Sequence, residues 1–172
     1  AQALEAIASV TVPPRAQWLR ALLLERERIA NHLGDLGYLG NDAGFAFGLA
    51  QFSRLKEEVL RTNLAAFGHR LLMDRVVPGG VVQDLADEHA ERILAECAML
   101  AREVKIVHDI YNDHAGVQDR FRTAGRVTPE LATKLGLTGL AGRASGQARD
   151  LRCDFPTAPY DTLGVRKAGA DD

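Results

Sequence analysis

Three clusters of turn-forming residues divide most of the chain: Pro13-Pro14, Gly40-Asn41-Asp42-Ala43-Gly44 and Val77-Pro78-Gly79-Gly80-Val81. Proline cannot donate from its backbone nitrogen, and Gly and Asn accept positive φ, so long regular elements must stop and restart at these points. Between them the apolar residues recur at threes and fours. Trp18, Leu22, Ile29, Leu33 and Leu36 mark a first amphipathic helix that opens on the proline pair and runs to about Gly40. Leu49, Phe52, Val59, Leu60, Leu64, Phe67 and Leu71 mark a second, from Phe45 to about Leu72. A third is capped by Asp84, carries Ile93, Cys97, Leu100, Val104, Val107 and Tyr111 on one stripe, and ends near His114 to Gly116.

The remaining signals are shorter. AQALEAIASV reads as part of a helix already under way, and Val76 to Val82 suits a small β-element. Thr128-Pro129-Glu130 is a helix-start signal and Gly136 its stop, after which GLTGLAGRASG reads as glycine-rich loop. The expected fold is therefore mainly all-α: a bundle of three long helices plus shorter helices, a glycine-rich loop and one small β-element. At 172 residues and 47% hydrophobic the chain suits one core, so residues 1–172 are read as a single helical domain.

Composition removes several functions. A net charge of -2 lacks the broad basic attraction that nucleic-acid binders use. The apolar run around Leu22 to Leu24 is broken at once by Glu25, Arg26, Glu27 and Arg28, far short of the roughly 20 residues a bilayer span needs, so no transmembrane segment is expected. Cys97 and Cys153 have no second Cys at metal-ligand spacing, which fits a reducing, cytoplasmic compartment.

Complete catalytic constellations are missing from the sequence. His32, His69, His89, His108 and His114 form no pattern that places two metal ligands on one helical face. His108, Asp109, Asp113 and His114 read as a solvated helix end. Gly34, Gly37 and Gly40 read as a face for close helix packing rather than a phosphate loop, since no Lys-Ser/Thr pair follows them. Glu25 and His32 lie seven residues apart, nearly on one face, with Asp42 ten further on, so the three are candidates to line a cavity. Arg143, Arg149, Asp150 and Arg152 read equally well as a structural charge network or a functional loop around Ser145.

Taken together, PPRAQWLRALLLERERIANHLGDLGYLGNDAGFAFG, FGHRLLMDRVVPGGV and GRASGQARDLR resemble the large subunit of membrane-associated nickel–iron hydrogenases of the formate hydrogenlyase type. They are similar, less closely, to the 49 kDa subunit of respiratory complex I, the NADH:quinone oxidoreductase. The three blocks keep the family order from Pro13 to about Gly164.

The resemblance implies the central helical part of a larger redox subunit, with the family's early and late C-x-x-C pairs outside this sequence and no nickel–iron centre, quinone or other cofactor held by this part alone. It implies that Asp42 is the family acid facing the reactive cavity and that Glu25 and His32 stand on the helix leading there. Arg143, Ser145 and Gly146 match the family R-A-S-G loop, and Asp150, Leu151 and Arg152 its D-L-R, with a mainly structural role. The implied partners are a small iron–sulfur electron-transfer subunit and membrane subunits. NAD and quinone binding belong to the related respiratory complex as a whole, and the implied location is cytoplasmic, peripheral to the inner membrane. The alternative is a non-catalytic assembly domain whose apolar faces dock partner subunits. On either reading the isolated chain is expected to self-associate.

Overall fold

The computed structural model describes residues 1–122 and 124–167. The chain gathers into two compact units, Ala1–Arg122 and Thr123–Asp172. Eight helices and one two-stranded hairpin are formed among the described residues, so the fold is mainly α as expected.

Unit 1 holds α1 (Gln2–Ala8), α2 (Pro14–Asp42), α3 (Ala46–Phe67), the hairpin β1 (Val76–Val77) and β2 (Gly80–Val81), α4 (Asp87–Asp113) and α5 (Ala115–Phe121). Pro14 occupies the first turn of α2, where its missing N–H costs nothing. The helix continues two residues past Gly40 to Asp42 before the chain reverses, and α3 returns beside it. α3 stops at Phe67, earlier than its apolar spacing suggests. Gly68 adopts φ 72° there and donates its N–H to Leu64 O, a left-handed cap that closes the helix. At the start of α4 the N-cap is Ala86 rather than Asp84, whose carboxylate instead accepts from Leu85 N–H and Arg15 Nε.

The buried faces are phased differently from the sequence reading. On α2 the inward positions are Leu19, Leu23, Arg26, Ala30, Leu33, Gly37 and Gly40, a run of threes and fours that includes a charged residue. Trp18, expected on the apolar stripe, is 49% exposed. On α4 the inward residues are Ile93, Glu96, Leu100, Val107 and Tyr111, and Cys97 is exposed. Phe52, Leu55, Val59 and Leu60 of α3 meet Ala30 and Leu33 of α2 and Leu100 and Val107 of α4 in the main core. Leu23, Phe67, Leu72 and Ile93 form a second cluster.

A polar clamp fastens the hairpin to this bundle. Val76 pairs with Val81 and Val77 with Gly80. Arg20 of α2 donates to Gly80 O and Val77 O and meets the Glu5 carboxylate of α1 at 2.5 Å, while Gly79 N–H donates to the same carboxylate. Arg20 and then the Gly79 amide hold the Glu5 pKa down at about 2.

Unit 2 holds α6 (Pro129–Leu135), α7 (Gly139–Ala144) and α8 (Leu151–Asp154). Thr128 caps α6 by accepting from Leu131 N–H, and Gly136 ends it, as the sequence signals require. The stretch read as glycine-rich loop contains α7. Glycine-rich composition hides so short a helix from periodicity arguments, because a six-residue element has no repeat to display.

Candidate functional site

The α2–α3 turn, where Asp42 stands, is assembled from four helices. Phe45 N–H donates to Gly40 O and Gly44 N–H to Asn41 O, which closes α2. Arg120 of α5 reaches across with Nη1 to Ala43 O. Tyr111 of α4, 7% exposed, donates its hydroxyl to Leu36 O at 2.9 Å. Its ring meets Phe45 edge-on at 5.3 Å and Phe52 at 5.7 Å, and His114 lies 4.7 Å from Phe45. Burial pushes the Tyr111 pKa up, opposed by the Gly40 backbone, so the phenol is a hydrogen-bond donor at neutral pH. Asp42 itself is exposed on this rigid turn, beside exposed Tyr38, Leu39 and Phe47.

Glu25 and His32 are on the same helix, both half-buried, and Glu25 pairs with Arg28 at 3.1 Å. At about 1.5 Å of rise per residue the three candidates spread over about 25 Å of helix axis. The structure therefore places Glu25 and His32 one above the other and Asp42 well beyond them. A hollow of about 250 Å³ opens nearby between Glu27, Asn31, Lys56 and Arg70 over Leu60 and Leu72, and none of the three candidates lines it.

Sequence reasoning missed a buried polar cluster at the middle of the bundle. Arg26, 2% exposed, donates through Nε to Asn63 Oδ1 at 2.5 Å and through Nη2 to Val59 O, and its Nη1 meets Glu96 Oε2 at 2.8 Å. Asn63 passes the connection on, donating to Arg70 O. Glu96 Oε1 is buried with no hydrogen-bond partner among the described residues. The signal that was available is positional: Arg26 and Glu96 each fall on the three-and-four register of their helix.

In unit 2 the R-A-S-G residues close α7, and the D-L-R residues open α8. Arg143 is half-buried at the end of α7, Ser145 caps it, and Gly146 turns at φ 76°. Asp150, 8% exposed, caps α8 through Arg152 N–H and grips the Arg152 guanidinium with both oxygens, the shortest contact being 2.6 Å. Leu151 between them is 73% exposed.

Metal ligands do not gather. Among the described residues no group of three His, Cys, Asp or Glu side chains is placed to hold an ion. Cys97 is exposed, Cys153 donates to Val165 O, and His114 is occupied as the cap of α5, accepting from Val117 N–H. These residues do not fit a four-thiolate nickel–iron centre. No helix among the described residues is long and apolar enough to cross a membrane.

Comparison with known proteins gives a consistent set of relatives. The family described as respiratory-chain NADH dehydrogenase, 49 Kd subunit, matches residues 42–168. Formate hydrogenlyase subunit 5 of Escherichia coli is 34% identical over 154 residues, covering 90% of this chain and 27% of the relative. A subunit of the NADH-quinone oxidoreductase of Campylobacter concisus is 35% identical, covering 94% of this chain and 39% of the relative. A chain of the membrane-bound sulfane sulfur reductase, described as an archaeal respiratory membrane complex, superposes with a TM-score of 0.87 at 25% identity, over 94% of this chain and 44% of that one. The chain thus spans less than half the length of these relatives.

Proposed function

The chain belongs to the family of the 49 Kd subunit of respiratory-chain NADH dehydrogenase, and from that membership we propose that it forms the central helical wall of a buried redox site in a hydrogenase-like or quinone-reductase-like membrane complex. In the intact protein that site carries out two-electron chemistry, proton to hydrogen or quinone to quinol, fed by iron–sulfur clusters of a small partner subunit. The nickel–iron or quinone group is supplied by parts of the complex other than these residues. The complex sits on the cytoplasmic side of the inner membrane and is anchored through its membrane subunits.

The observation that carries this reading is Asp42: an exposed carboxylate on a turn that Tyr111 and Arg120 brace from two other helices. An acid that shows no hydrogen bond or ion pair among the described residues, held on a braced turn, is suited to exchanging protons with a neighbouring group. Glu25 and His32 extend polar character back along the same helix. The R-A-S-G and D-L-R segment of unit 2 contributes structure, since Asp150 and Arg152 grip one another.

The test is Asp42→Asn in the full-length subunit within its complex, with metal analysis and both hydrogen-evolution and quinone-reduction assays. Turnover in one assay is expected to fall about 100-fold, the usual order for a lost proton-transfer group. Unchanged turnover in both assays overturns the reading. It would favour instead an assembly domain, for which the exposed Trp18, Tyr38, Leu71 and Met73 speak. In that case Glu25→Gln is equally silent.

A further inference from the structure

Between the two ends of the α2–α3 turn lies a slot shaped to a single hydroxyl. Gly40 lies in the last turn of α2 and Gly48 in the first turn of α3, and a Cβ at either position would overlap the Tyr111 hydroxyl. The ring already packs well without its oxygen, edge-on to Phe45 and Phe52 and stacked on Phe121 at 6.4 Å. Phenylalanine would bury nearly the same surface with less demand on its neighbours, and glycine inside a helix costs stability relative to alanine. What the hydroxyl adds is direction. Its bond to Leu36 O fixes the last two turns of α2, and so the azimuth of Asp42, against α4.

We propose that Tyr111 is a positioning residue for Asp42, its hydroxyl keyed between Gly40 and Gly48 so that the carboxylate meets the reacting group in one orientation. The proposal rests on the role of Asp42 as the acid that exchanges protons with that group. Neither the phenol nor its ring touches the reacting atoms. It acts through the helix end, where a displacement of about 1 Å is enough to slow a positioned reaction by about two orders of magnitude.

The test uses the full-length subunit in its complex and four variants: Tyr111→Phe, Asp42→Asn, the double variant, and Val107→Ala as a control. Val107 is 4% exposed on the same helix, one turn earlier, so its truncation weakens the core without touching the turn. Tyr111→Phe is expected to lower kcat about 10-fold with KM unchanged, and the double variant to be no slower than Asp42→Asn alone. Val107→Ala is expected to lower thermal stability more than Tyr111→Phe while keeping kcat within about twofold. If Asp42→Asn slows turnover but Tyr111→Phe does not, or if the two losses multiply, the positioning role is wrong and the reading of Asp42 stands. If Val107→Ala slows turnover as much as Tyr111→Phe, the effect is general loosening and the proposal fails. Should Asp42→Asn leave turnover intact, both fall.

Discussion

The middle of the helical bundle and the turn at its end treat ionisable residues in opposite ways. In the middle, Arg26 and Glu96 are each over nine-tenths buried and bonded across three helices. At the end, Asp42 is exposed on a turn braced from below by the buried Tyr111, which bonds to Leu36 O, and by Arg120, which bonds to Ala43 O. A buried pair is costly to desolvate and its geometry is committed to holding helices together. An exposed acid on a braced turn carries no such obligation and is available to whatever packs against it. The difference separates residues that specify the fold from a residue that the fold presents.

The first way to break this comparison is to remove one buried partner. Arg26→Met strands the Glu96 carboxylate and is expected to cost about 3–5 kcal/mol in chemical denaturation. Removing both, as Arg26→Met with Glu96→Leu, is expected to recover most of that loss. A cost under about 1 kcal/mol for the single variant would mean that the cluster does not lock the bundle. Next, Gly48→Ala forces a Cβ into the Tyr111 hydroxyl and should cost about 1–3 kcal/mol by overpacking, read from the same denaturation curves.

A third carboxylate sharpens the contrast through pH. Glu5 has its pKa lowered from 4.5 to about 2 by Arg20 and the Gly79 amide. A depressed carboxylate contributes stability that is fully present above the unfolded value and is lost as pH falls through the folded one. The clamp on α1 and the hairpin should therefore hold above pH 4.5 and loosen toward pH 2. Amide exchange of Gln2–Ala8 that accelerates over this window, before the α2–α3 core opens, is the expected sign. Protection that is flat down to pH 2 would contradict it. The smallest effect belongs to Asp42→Asn, which should change unfolding free energy by less than about 0.5 kcal/mol, as exposed substitutions do.

The three long helices were legible because proline and glycine clusters bound long stretches of regular apolar spacing. The phase of α2 was not, because Trp18 outweighs Leu19 in any count of hydrophobicity and Arg26 looks like part of the charged run Glu25 to Arg28. Only the partners Asn63 and Glu96, 37 and 70 positions away, explain why an arginine turns inward. The same holds for α4, where Cys97 reads as core and Glu96 as surface, and the structure reverses them. At the turn, resemblance singles out Asp42, whereas its braces Tyr111 and Arg120 were not legible, since a hydroxyl and a guanidinium aimed at backbone carbonyls leave no sequence pattern.

The most direct measurement of the central claim is turnover and thermal stability of Asp42→Asn and Arg26→Met, each made in the full-length subunit within its complex and compared with the unaltered protein. Asp42→Asn is expected to lose about 100-fold in turnover with a Tm within about 2 °C of the unaltered value, and Arg26→Met to lower Tm by several times that margin. An Asp42→Asn complex that turns over at the unaltered rate would contradict the claim.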